Sequence, residues 1–176
     1  QTLDFIHLQQ LPKNKKATYV RVVCADRPEK PQPRRVRWTL GGDKITYLGN
    51  KTTKTADLTT AKLLFNSVIS TPGARFMTID LKDFYLNSIL PEPEYIRIPV
   101  TLISDKLLDL YDLRDKIHKG HVYAQVNKGM YGLPQAGKLA NDDLRNFLEP
   151  HGYVPCPMTP GLWKDTKFDL MFSLET

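Results

Sequence analysis

The sequence predicts an α+β fold, with a mixed or antiparallel sheet and helices packed on one face, on three observations. Several short runs alternate apolar and polar residues with the period of a half-buried strand, at 34–40, 76–81 and 122–127. Two other stretches, 57–70 and 140–148, space their apolar residues at the 3.6-residue period of a helix. The two kinds of element are interleaved without the regular βαβ spacing of a doubly wound parallel sheet.

Taken in order, residues 1–33 are rich in Pro, Lys and Arg and hold only short strand-like runs such as Thr18 to Cys24. They are expected to form a loosely structured basic approach to a domain spanning 34–176. From Arg34 to Leu40, Val36, Trp38 and Leu40 share one strand face and Arg35, Arg37 and Thr39 the other. Gly41-Gly42 supplies a turn, and Ile45 and Tyr47 continue the pattern, so 34–48 is expected as a β-hairpin with its arginines turned to solvent.

Thr55 or Asp57 is placed to cap a helix reaching about Ser70, with Leu58, Ala61, Leu64, Phe65 and Val68 as its buried stripe. Pro72-Gly73 ends it. In 76–81, Met77, Ile79 and Leu81 alternate with Phe76, Thr78 and Asp80, which predicts a strand carrying the Asp80 carboxylate outward. Val122 to Asn127 reads as another strand. Ala140 to Leu148 reads as a helix with Ala140, Leu144, Phe147 and Leu148 on one side, and Phe168 to Leu174 as the start of a last apolar strand.

The bulk properties narrow the class. The chain has 176 residues, 41% hydrophobic and 25% charged, which suffices to bury a core and suits one domain or one and a half. Cys24 and Cys156 have neither metal-ligand nor disulfide-framework spacing and read as thiols of an intracellular protein. No segment approaches the roughly 20 apolar residues of a membrane span. The start, Gln1-Thr2-Leu3-Asp4, has no signal-peptide pattern and no initiating methionine, which suits an internal piece of something longer. The net charge of +6 is polarised: residues 13–54 hold twelve Lys or Arg against three acidic residues, leaving the remainder net acidic. Such a basic face is the electrostatic footprint of a nucleic-acid binder, a solvated basic segment being the alternative.

Two segments carry the chemistry. Phe76-Met77-Thr78-Ile79-Asp80-Leu81-Lys82-Asp83-Phe84-Tyr85-Leu86 places a carboxylate at a strand end with an aromatic five residues on. Lys128-Gly129-Met130-Tyr131-Gly132-Leu133-Pro134-Gln135-Ala136-Gly137 is a glycine-rich turn of restricted backbone, with one amide side chain, directly before a helix. Each alone has an ordinary structural reading, a turn in the first case and a strand-to-helix loop in the second.

Together and in this order they resemble the reverse transcriptases of long-terminal-repeat retrotransposons, most closely the copia-like class. In that class an apolar run, Asp, and an aromatic a few residues on are followed by a Tyr-Gly-Leu-x-Gln-Ala motif. The resemblance extends to Pro93-Glu94-Tyr95-Ile96-Arg97-Ile98-Pro99, to His151-Gly152-Tyr153 and to Gly161-Leu162-Trp163, covering roughly residues 34–174. It implies the fingers and an incomplete palm of a right-hand polymerase, an RNA-directed DNA polymerase (nucleotidyltransferase) acting on a template–primer and dNTP. It also implies neighbouring integrase and ribonuclease H regions of a polyprotein, in a cytoplasmic, particle-associated setting with no membrane partner.

By the same resemblance Asp80 is the first metal-binding, catalytic aspartate. With the carbonyl of Leu81 it would help to hold two Mg²⁺ that align a primer 3′-hydroxyl with the nucleotide α-phosphate. Tyr85 falls at the aromatic position that excludes a 2′-hydroxyl, and Asp83 and Phe84 border that pocket through their backbone. Gln135 matches the glutamine that contacts nucleotide and template. Arg35 and Arg37 sit where the fingers present basic residues to the triphosphate.

Further carboxylates come in this family from a later hairpin with adjacent aspartates. Leu170 to Leu174 resembles the approach to that hairpin, but Glu175-Thr176 stand where the aliphatic and Asp-Asp residues should follow. Asp142-Asp143 reads as a solvated helix face. The 176-residue polypeptide is therefore expected to lack polymerase activity alone. A non-catalytic nucleic-acid-binding remnant of a degenerate element is the competing class, and a truncated product that does not fold is a third.

Overall fold

Every amide and carbonyl of the first half that enters a ladder does so in one five-stranded sheet. The computed structural model describes residues 1–175, so Thr176 lies outside the described residues. Its strands are β1 (Leu3–Ile6), β2 (Thr18–Asp26), β3 (Arg34–Leu40), β4 (Ile89–Pro99) and β5 (His121–Lys128), in the order β1-β5-β4-β2-β3. All neighbours are antiparallel except β2 and β4, which pair in parallel. A second, antiparallel sheet joins β6 (Tyr153–Pro155), β7 (Leu162–Asp165) and β8 (Met171–Ser173). Three helices, α1 (Leu58–Ser70), α2 (Asp105–Leu110) and α3 (Ala136–Leu148), complete a mixed α+β fold.

The centre of the first sheet forms because β5 alternates strictly and pairs with the β-branched residues Ile96 and Ile98 of β4. Ile96, Ile98, Val122, Ala124 and Val126 have no exposed surface, and Val20, Leu40, Leu90, Met130, Leu133 and Ala136 close over them. Each large aliphatic side chain so buried contributes about 1.5–3 kcal/mol. A satellite cluster of Leu108, Leu113 and Val122 seats α2. In the second sheet Trp163 is buried and stacks on Phe172 at 6.0 Å.

Several sequence expectations are corrected. Residues 1–33 are not a loose approach: β1 pairs Leu3–Ile6 with Tyr123–Val126, and β2 runs nine residues through the sheet. The strand at 34–40 exists, but its partner is β2, from Val20↔Leu40 to Asp26↔Arg34, and not 44–48. Gly41-Gly42 leads instead into a single 3₁₀ turn at Gly42–Lys44. The reason is that Leu40 is already held from the other side, its amide donating to the Tyr131 carbonyl at 2.8 Å. The chain therefore cannot fold back on itself at that point.

The strand expected at 76–81 does not form, and Phe76, Met77, Ile79 and Leu81 are all exposed. Strand geometry is maintained by interstrand hydrogen bonds, and among the described residues no strand lies beside this segment. The stripe expected on α1 is only partly covered. Ala61 is buried and Leu64 and Val68 half-buried, while Leu58 is exposed and Phe65 packs outward on Phe76 at 4.5 Å between ring centres. The helix at 140–148 begins four residues earlier, at Ala136, and the last strand is confined to Met171–Ser173.

The cap of α1 is as expected at Asp57, whose carboxylate accepts from the Thr60 amide at 2.7 Å. That bond is the main cause holding the Asp57 carboxyl below its ordinary value of 3.8. A depressed folded-state value means stability that is complete at neutral pH and lost as pH falls through the carboxylate range. D57A is expected to lower the melting temperature by a few degrees, with D57N retaining most of the difference. Repeating the melts in acid should narrow the gap between wild type and D57A to about that between D57N and D57A.

Candidate nucleic-acid interface

Three remote segments meet at the loop between β5 and α3. Gly129 donates its amide to the Ser88 carbonyl at 2.8 Å, and a Cβ there would lie 2.5 Å from the Tyr85 carbonyl oxygen. Gly132, at φ +95°, lies so close to Leu40 that a Cβ would fall 2.1 Å from its carbonyl oxygen. Glycine is therefore required for the loop to touch both the 85–88 turn and the end of β3.

These contacts bring side chains together. The Tyr131 ring packs edge-on against Tyr85 with centres 4.9 Å apart, and the Arg37 guanidinium lies 5.2 Å from the Tyr131 ring centre. A guanidinium over a tyrosine face is attracted by the ring quadrupole and held in a defined direction. Phe84 adjoins Tyr85 at 5.8 Å. At the end of the loop Gln135 is buried, and its amide nitrogen donates to the buried Glu94 carboxylate at 3.1 Å.

The β2–β3 ribbon extends this site outward. Its register sets Val23 opposite Arg37 and Ala25 opposite Arg35. The alternation then places Tyr19, Arg21, Val23, Ala25 and, just past the strand, Arg27 on the same face as Arg35 and Arg37. A hollow of about 120 Å³ is lined by Val23, Ala25, Arg27, Arg35 and Arg37. The Nε atoms of Arg27 and Arg37 are shielded from solvent and have no hydrogen-bond partner among the described residues. At the base of the ribbon Arg21 donates to the Tyr19 hydroxyl at 3.3 Å, which donates to Asp43 at 2.8 Å. This last bond is the largest cause keeping the Asp43 carboxyl below its ordinary value. A planar guanidinium matches phosphate bidentately, so an arginine face around shielded, unbonded N–H groups suits phosphoryl oxygens.

The residues singled out in the sequence are thus divided. Arg37, Tyr85 and the loop bearing Gln135 converge, Phe84 touches Tyr85, and Arg35 shares the ribbon face with Arg37. Asp80, Leu81 and Asp83 stand on an exposed irregular segment, Asp83 in the left-handed region at φ +54°. Among the described residues no three His, Cys, Asp or Glu side chains converge as metal ligands. One exposed carboxylate does not fit the several anionic ligands that two Mg²⁺ require, so no chemical step is derived through magnesium. Reading the sequence alone missed Arg27, Tyr131 and Glu94. The even, six-residue separation of Arg21 and Arg27, which puts both on one strand face, was a usable signal for the first, and an acidic residue inside the apolar run of β4 for the last.

No family model, curated protein or solved structure matches this chain. No helix of the described residues is long and apolar enough to cross a membrane.

Proposed function

We propose that this chain is the fingers and part of the palm of a copia-like retrotransposon RNA-directed DNA polymerase, and that residues 1–176 bind template–primer and nucleotide without catalysing synthesis by themselves. One observation carries the reading. The two segments on which the resemblance rests, about fifty residues apart, meet at Tyr85 and Tyr131, and an arginine of the basic ribbon lies on the second of these rings. Phosphate-directed guanidinium groups beside an aromatic floor and an amide are the elements a nucleotide site needs. The finer assignment as a right-hand polymerase and the polyprotein partners belong to this proposal.

Binding of a labelled RNA–DNA primer–template should weaken steeply with salt, and nucleotide should add to that binding with wild type but not with Y85A. Absence of salt-dependent binding would sink the proposal. Primer extension by the 176-residue polypeptide with Mg²⁺ and dNTP should give no product, and Mg²⁺-dependent synthesis would refute the non-catalytic part. The second reading, a non-catalytic nucleic-acid-binding remnant, is favoured by Asp80 standing on an exposed irregular segment while the arginine ribbon is well formed. It predicts binding of the primer–template with no response to dNTP.

A further inference from the structure

Residues 75–81 are exposed throughout, Met77 at 75% and Ile79 at 72%, and among the described residues no backbone hydrogen bond joins them to another segment. Their sequence is nonetheless that of a strand, with Met77, Ile79 and Leu81 alternating with Phe76, Thr78 and Asp80. Turns bound it on both sides, at Pro72-Gly73 and at Asp83, whose φ of +54° redirects the chain. Phe76 packs on Phe65 of α1, a helix that also exposes Leu58 and Ile69. An apolar run with free amides and carbonyls is a template for a further strand.

The charges on the segment select which strand. In a two-fold antiparallel pair of identical strands every residue keeps its face, so one residue must stand opposite itself. With Asp80 on the axis, two carboxylates would meet. With Thr78 there, Asp80 would face Phe76 and Arg75 would face Leu81. A parallel, in-register pair would set Arg75, Asp80 and Lys82 each against its like. Only Ile79 on the axis satisfies both faces: Met77 lies opposite Leu81, Thr78 donates its hydroxyl to Asp80, and Arg75 meets Asp83 just past the strand end. Each of these pairs then occurs twice. We propose that residues 75–82 pair in this register with the same segment of a second copy of the chain, forming a homodimer. The contact uses the same edge of both copies, so it closes at two.

Sedimentation of the 176-residue polypeptide should show a monomer–dimer equilibrium that shifts with concentration. Oxidative cross-linking in a C24S/C156S background, which removes both native thiols, reads the register. Residues directly opposite have Cα atoms about 4.5–5.5 Å apart, within disulfide reach, so I79C should form a covalent dimer. M77C and L81C should each fail alone, because like positions then lie roughly 13 Å apart along the strands, and M77C/L81C together should cross-link. R75E and D83R should each weaken association about tenfold by setting like charges opposite at both ends. An equimolar mixture of R75E and D83R should restore it, since both ends of the mixed dimer regain opposite charges. A chain that stays monomeric at every concentration would overturn the proposal and leave 75–81 a solvated segment. Cross-linking of M77C as efficient as that of I79C, failure of the mixture to recover, or species growing beyond the dimer would overturn it in favour of unspecific apolar association.

Discussion

Replacing Gly132 by alanine is expected to cost about 3–5 kcal/mol, enough to remove much of the stability of a domain of this size. Two penalties act together. At φ +95° a side chain is strained whatever the space around it, at a cost of about 1–2 kcal/mol. Here the space is also taken, since the new Cβ would lie 2.1 Å from the Leu40 carbonyl oxygen and 2.8 Å from its nitrogen. Both neighbours are backbone, so relief requires β3 and the loop to separate and the bond from Leu40 N to the Tyr131 carbonyl to break. Gly73 provides the control, because it has φ +77° but nothing within 4 Å of its Cβ position. G73A should cost only the conformational part. Urea melts of both variants would measure the difference, and equal costs would show that the close approach of β3 and the loop does not matter.

The same contact explains what could be read from the sequence and what could not. β5 was evident because Val122, Ala124 and Val126 alternate over its whole length and every one is buried. The cap at Asp57 and the glycines of the loop were evident for a similar reason: their constraint is local to a few residues. Pairing is not local. Arg34 to Leu40 shows a strand but not its partner, and the near turn at Gly41-Gly42 suggested a hairpin where the partner is β2, reached across the proline-rich connection at 27–33. The alternation of 76–81 marks a segment able to be a strand, whereas being one needs a neighbour.

The site divides along the same line. Motif residues such as Tyr85 and Gln135 were visible as members of short ordered patterns. Arg27 and Glu94 acquire meaning only from what the fold sets opposite them. Glu94 is a surface residue by type, yet here it is buried, paired opposite Val126 in the sheet and hydrogen-bonded to Gln135, the residue directly before α3.

Removal of the ribbon arginines is the other large expected effect. The variant R27A/R35A/R37A should lose roughly a hundredfold or more in affinity for a single-stranded or primer–template oligonucleotide at low salt, since hydrogen bonds to charged groups contribute about 1.5–3 kcal/mol each. The slope of log affinity against log salt should fall by about two, three phosphate contacts at roughly 0.7 each on a single strand. Net charge alone does not predict this. Arg114 and Arg145 carry the same charge but are engaged by Asp105, Asp109 and Glu149. R114A/R145A should therefore leave both affinity and slope near the wild-type values. Stability separates the cases further. Arg35 is exposed and the Nε atoms of Arg27 and Arg37 have no partner among the described residues, so the triple variant should melt close to the wild type. Only the Arg37 contact with Tyr131 is given up, about 0.5–2 kcal/mol. Equal loss of binding in the two variants would mean that the chain attracts nucleic acid through its overall charge, and that the arginine face has no special part in it.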